Sequence, residues 1–188
     1  MQHVSNPFSA MKDIITRPNR VFATINDIHN WSWIPFLFIA VIGAIPIYLY
    51  FNFVDISWYN EIMVQSMAGQ LSPAEQDVMR NAMADKAQSL WTGVFGSVFV
   101  VIFSNAILAL YLNIVTKADE ECVQTYTDWY GFSWWVSVPA IISSLIATLV
   151  VLLAQDTQLS PMSMAPTSLA FIFSVDMTSP WLALMQSI

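Results

Sequence analysis

From Trp33 to Val54 the chain reads WIPFLFIAVIGAIPIYLYFNFV, a run without a single charge. A helix crosses the hydrocarbon of a bilayer with about 20 apolar residues, so this run is long enough to span one. Two more runs have the same character: WTGVFGSVFVVIFSNAILALYLNIV over residues 91–115, and GFSWWVSVPAIISSLIATLVVLLA over residues 131–154. Trp and Tyr stand at their borders, among them Trp31, Trp33, Tyr48, Tyr50, Trp91, Tyr111, Trp129 and Tyr130. Such rings settle at the lipid–water boundary, apolar body inward and polar edge outward. A buried helix of a soluble domain would be shorter and would carry a polar face. The expected fold is all-α, a polytopic transmembrane helical bundle with an amphipathic N-terminal leader and a helical first loop.

The composition agrees. Only 10% of residues are charged and 56% are apolar, against about a quarter charged in a soluble domain. Thirteen acids oppose six bases, a net charge of −7 that argues against nucleic-acid binding. The single cysteine, Cys122, lies in KADEECVQ, where neighbouring carboxylates disfavour its thiolate. With two histidines, it leaves neither a disulfide framework nor zinc spacing.

Residues 1–32 form the leader, ahead of a transmembrane domain over 33–188. Asn6 followed by Pro7 is a helix start, after which Phe8, Met11 and Ile15 fall on one side. Pro18 closes that helix and opens another, along which Val21, Phe22, Ile25 and Ile28 align. Lys12, Arg17 and Arg20 flank the apolar stripe and are the candidates for lipid contact. Two basic-edged amphipathic helices leading into a span are expected to lie in the headgroup layer. The plainer alternative is a leader that serves only to satisfy the charge rule. No apolar segment with a cleavage site precedes the first span, so the stretch is not a secretory signal. Counting bases places the N-terminus in the cytoplasm: Lys12, Arg17, Arg20 and Lys117 fall on that side, Arg80 and Lys86 on the other.

Within the loop over about 55–90, SPAE at Ser72–Glu75 spells a capping box with proline at the first helical position. The spacing predicts a helix from there that continues unbroken into the second span. A shorter helix before it should end at Gly69. The apolar side of this helical cap is expected to pack against its own hairpin. Pro161 and Pro166 spoil the uncharged stretch from Thr157 as a standard span, and the tail holds a partial further element over 166–188, interrupted by Asp176, with Ser179 as a cap and Pro180 as the first helical position. It reads as a short re-entrant or interfacial piece, or as the beginning of spans that a longer chain would complete; with no helix stop near its end, the second is the expectation.

Chemistry inside a membrane needs ionisable groups in the spans, and these three hold none. Neither His3 nor His29 sits in a span, and the H-E-x-x-H, G-x-S-x-G and C-x-x-C patterns are missing. The reading is therefore not an enzyme, with no cofactor, no metal and no nucleic-acid partner. Small residues at Gly43, Gly93 and Gly96 would let helix backbones approach closely, and Asn105 and Asn113 can bond across helices. Pro46 and Pro139 can kink the first and third spans. Packing within the chain and self-association both remain open uses of these residues.

The leader IITRPNRVFATI before a Trp-flanked span, the hairpin with a helical loop, and YTDWYGFSWWVSVPAIISSLI together resemble the Yip domain family. These are multipass membrane proteins named for interaction with Ypt/Rab GTPases, and the chain looks like a bacterial, C-terminally truncated member. In YTDWYGF the resemblance implies a turn at Tyr130 and Gly131. It implies five spans in the family, of which this chain covers three and the approach to a fourth, and it brings no catalytic residues. The DLYGP-type motif of eukaryotic members does not occur. The expected role is a non-catalytic inner-membrane protein that organises membrane or scaffolds partner proteins, with the lipid bilayer, a membrane-protein partner or a second copy as partners. A transporter or channel subunit, or an accessory subunit of a larger complex, are the alternatives.

Overall fold

The computed structural model describes residues 4–28 and 30–187, so His3 and His29 lie outside the described residues. Among the described residues the chain is helical without strands. It divides into two compact units, residues 1–43 with 97–142 and residues 44–96 with 143–188. Two helices, α3 (Trp33–Phe53) and α6 (Lys86–Thr116), are long and apolar enough to cross a membrane. A third span is available if α7 (Tyr126–Val136) and α8 (Ala140–Leu153), bent by 41° at their junction, count as one.

In the first unit, the leader folds into α1 (Pro7–Thr16) and α2 (Pro18–Asp27), each opening on its proline. Asn6 caps α1 by accepting the Ser9 N–H at 2.8 Å. The face that α1 buries differs from the one its large residues suggest. Ala10 and Ile14 are buried and Met11 packs beside them, whereas Phe8 and Ile15 are exposed. A small residue at position 10 brings the helix close to its support, and the bulky side chains are turned away.

α7 begins at Tyr126, five residues ahead of the expected edge of the third span. Thr125 and Asp128 form a capping box there, with the Asp128 carboxylate accepting from the Thr125 N–H at 2.8 Å. Tyr130 and Gly131 therefore lie inside a helix and not in a turn. A Cβ on Gly131 would sit 2.8 Å from Ser32 Oγ, so glycine permits a close approach at this point. Pro139 falls in the break between α7 and α8, where Ser137 Oγ donates to the Ser133 carbonyl at 2.9 Å. A side chain thereby takes up a carbonyl at the end of α7.

In the second unit, α4 (Ile56–Ser66) is capped by Asp55, and α5 (Pro73–Ala82) opens on the Ser72–Glu75 capping box. α4 ends at Ser66, short of Gly69, and no glycine takes a positive φ. α5 does not run on into α6. Met83 is extended, and Asp85 starts a new helix by accepting the Gln88 N–H at 2.8 Å. Asn60 Nδ2 donates to the freed Ala84 carbonyl at 3.3 Å, which fixes the break against α4. Arg80 clasps the two loop helices, with Nε 2.9 Å from Glu61 and Nη1 2.9 Å from Asp77. Val64 of α4 is fully buried, but α5 buries no residue and leaves Val78 69% exposed. Packing of the loop's apolar side thus holds for α4 alone.

Tyr50, Val54 and Val151 centre the core of this unit. The tail is held to it by Tyr50 Oη, which donates to the Leu159 carbonyl at 2.9 Å, and by Asp55 N–H donating to Thr157 at 3.0 Å. It then doubles back: Thr167 and Ser143 share a hydroxyl bond at 2.9 Å, about 15 Å along α8 from its Leu153 end. The tail is a broken run containing a 3-10 turn at Pro161–Met164, α9 (Leu169–Ile172) and α10 (Leu182–Gln186). α10 starts two residues beyond Pro180, and Ser179 instead accepts the Trp181 N–H at 3.3 Å.

Gly93 and Gly96 make a contrasted pair for testing the packing. A Cβ on Gly93 would meet Phe51 at 2.8 Å and Ile47 at 3.0 Å, whereas Gly96 and Gly43 have nothing within 4 Å. Gly93→Leu should lower thermal stability in detergent by about 1–3 kcal/mol through overpacking. Gly96→Ala should raise it by up to about 1 kcal/mol through helix propensity.

The loop clasp is pH-dependent. The hydrogen bond from Arg80 holds the Glu61 carboxyl below its ordinary value of 4.5. A lowered carboxylate contributes stability above that ordinary value and loses it as the pH falls through the lowered one. Amide protection over residues 56–82, corrected for intrinsic exchange, should be higher at pH 7 than at a pH below the ordinary carboxylate value. Arg80→Gln should abolish this dependence.

Candidate functional site

The first unit concentrates the features with functional potential. Val4, Ala10, Ile14 and Val21 of the leader form one core with Ile39, Trp134, Trp135 and Val138 from the spans. The leader is thus seated on its unit through Val4, Ala10, Ile14 and Val21, and not through Phe8 and Ile15. Thr24, fully buried, joins its two ends: Oγ1 accepts the Val4 N–H at 3.0 Å and donates to the Arg20 carbonyl at 2.8 Å.

This seating sorts the three basic residues. Lys12 and Arg17 are exposed. Arg20 is partly buried and pairs with Asp13 at 3.3 Å, tying α2 to α1. Phe8 and Ile15 point outward, at 62% and 52% exposure, and Phe8 meets the exposed Phe38 ring edge-on at 6.3 Å. The exposed residues of the leader therefore include two cations and two large apolar side chains.

The proposed packing residues have different fates. Asn105 is buried: its Nδ2 donates to the Val101 carbonyl at 2.9 Å, and its Oδ1 lies 3.2 Å from Ser137 Oγ, beside the break between α7 and α8. Asn113 is half-buried. Gly93 lies in tight contact, Pro139 is exposed at the break, and Gly43 and Gly96 have open space around them.

Beside the leader lies a cavity of about 860 Å³, bounded by α2, the start of α3, α6, the 123–125 loop and α7. Its walls include Phe22, Phe36, Ile102 and Trp134, and its polar groups include Asn26, Gln124, Thr127 and Asp128. Asn26 and Gln124 are themselves bonded at 3.4 Å. Trp129 also lines it, and its indole N–H is buried without an acceptor. Composition alone did not reveal this cavity. The signal was present in Thr125-x-x-Asp128, a capping box that moves the start of α7 back and brings Trp129 and Phe132 alongside α2. Among the described residues, no group of His, Cys, Asp and Glu could hold a metal ion.

The Yip1 domain model matches residues 12–185, from the leader to the tail. The chain belongs to the Yip1 domain family. No curated protein and no solved structure matches it. Membership makes it a membrane protein of a non-enzymatic family, in keeping with its apolar helices.

Thr24 offers a test of the seating. Thr24→Val keeps the shape but strands the buried Val4 N–H, at a cost of about 1–3 kcal/mol. The variant should melt at lower temperature in detergent, with faster amide exchange confined to the leader.

Proposed function

We propose that this Yip1-family protein is a non-catalytic multipass protein of the bacterial inner membrane, with its N-terminus in the cytoplasm, that organises membrane or scaffolds membrane-protein partners. The observation that carries the reading is the seated leader, which leaves Lys12, Arg17, Phe8 and Ile15 exposed. Cations beside apolar side chains at the end of a span suit anionic headgroups, each base contributing about 1 kcal/mol near the surface. Spans without ionisable residues support a structural role over ion or proton transport. The base count of the loops supports the orientation. A transporter subunit is the second reading, favoured by the broken tail lying along α8, since interrupted helices line many transport sites.

Two measurements test the proposal. In vesicles rich in phosphatidylglycerol, amide exchange over residues 7–27 should be slower than in phosphatidylcholine vesicles. Lys12→Gln with Arg17→Gln should remove the difference, and Arg20→Gln should reduce it less. Equal exchange in both lipids rejects the leader's role. Solute flux above empty liposomes rejects the scaffold in favour of the transporter subunit.

A further inference from the structure

We propose that α1 acts as a wedge in the bilayer: Phe8 and Ile15 enter the acyl layer of the leaflet that holds the leader, so that the protein favours a loosely packed, convex leaflet on that side. The two sides of α1 have separate tasks. At about 100° per residue, Phe8 and Ile15 project about 20° apart, with Lys12 about 40° to the other side of Phe8. Ala10 and Ile14, buried in the core of the unit, lie about 120–160° from Phe8. The helix is held by one side and directs two large apolar side chains away from its support.

Phe38 sets the depth of this side. Its ring meets Phe8 edge-on at 6.3 Å. Trp33, at the start of α3, is the exposed ring that marks the lipid–water boundary. From Trp33 to Phe38 the helix advances about 8 Å into the span. An interfacial helix buries its apolar face about 5–10 Å into the headgroup and acyl boundary, so Phe8 stands at the level of acyl chains. The surface around Phe38 shows what covers it. Leu37 and Val41 are exposed as well, and α3 holds no polar residue between Trp33 and Tyr48. On a span such a surface is covered by lipid, and the Phe8 ring continues it onto α1.

A free amphipathic segment must order itself as it inserts, and that ordering opposes binding. Here the core around Ala10 and Ile14, the Arg20–Asp13 pair and the Thr24 bond to Val4 hold α1 as a formed helix. The helix adds its cross-section beneath the headgroups of one leaflet, and a leaflet with open packing accommodates that area best. The inference rests on the leader facing the bilayer, as proposed above, and deepens that reading. It does not rest on attraction of Lys12 and Arg17 to anionic lipid.

The test places the full chain in giant vesicles of phosphatidylcholine, where the bases have no anionic partner. An impermeant dye added outside to an N-terminal tag marks only molecules whose leader lies in the outer leaflet. On a thin tube pulled from such a vesicle, these molecules should be enriched about twofold or more over a lipid dye. Phe8→Ser with Ile15→Ser should abolish the enrichment, while Phe8→Leu with Ile15→Leu should keep it. Both positions are exposed, so the melting temperature in detergent should stay the same for either pair. Lys12→Gln with Arg17→Gln should leave the enrichment unchanged, so a failure of the anionic-lipid reading would not remove it. A spin label at Phe8→Cys, in a Cys122→Ser background, should be relaxed more by oxygen than by an aqueous nickel chelate. Absence of enrichment, enrichment that survives the serine pair or is lost with the glutamine pair, or stronger relaxation by the chelate overturns the proposal.

Discussion

Hydrocarbon offers a peptide no hydrogen bonds, and the architecture depends on meeting that constraint. Where the chain stays helical, the backbone meets most of it, with Pro46 leaving one gap in the ladder of α3. Where the helix stops, hydroxyl and amide groups take over. At the break between α7 and α8, the Ser137 hydroxyl is within hydrogen-bond reach of the Ser133 carbonyl and of the Asn105 amide oxygen. In the tail, Ser163 donates to the Ser160 carbonyl, Ser168 to the Ala165 carbonyl, and Tyr50 reaches the Leu159 carbonyl. The serines and threonines that seem to spoil the tail as a span are what allow it to run irregularly beside α8.

The same economy appears at the leader. A proline-started pair of helices could float in the headgroup layer, but here its small and mid-sized residues are spent on the protein's own core. Ala10 and Val21 are fully buried, and the bulky Phe8 and Ile15 are left outside. The leader is therefore part of the folded unit, and its exposed residues are held in place by the packing of its other side.

Much of this was legible in the sequence because it rests on local rules. Charge-free runs marked α3 and α6, Pro7 and Pro18 marked the starts of α1 and α2, and Ser72-x-x-Glu75 marked α5. The misses share a cause: cap signals hidden in stretches that looked continuous. Asp85 caps α6 within a segment that reads as unbroken helix, and Thr125 with Asp128 begins α7 inside a stretch that reads as a loop. The buried face of α1 could not be read from its own periodicity, because tertiary contact favoured the residue that allowed closest approach over the largest ones. The cavity needs residues 22–36, Ile102 and residues 123–134 to meet, and no local pattern encodes that meeting.

The ion pair of Arg20 with Asp13 carries one more implication. It removes a base from the outer face, leaving the attraction of that face to an acidic surface to Lys12 and Arg17 alone. Exposed charges are screened over about 8 Å in physiological salt, while burial of Ala10, Ile14 and Val21 is indifferent to it. Ionic strength therefore acts on one side of the leader only: raising it weakens the outward grip and leaves the inward one as it was.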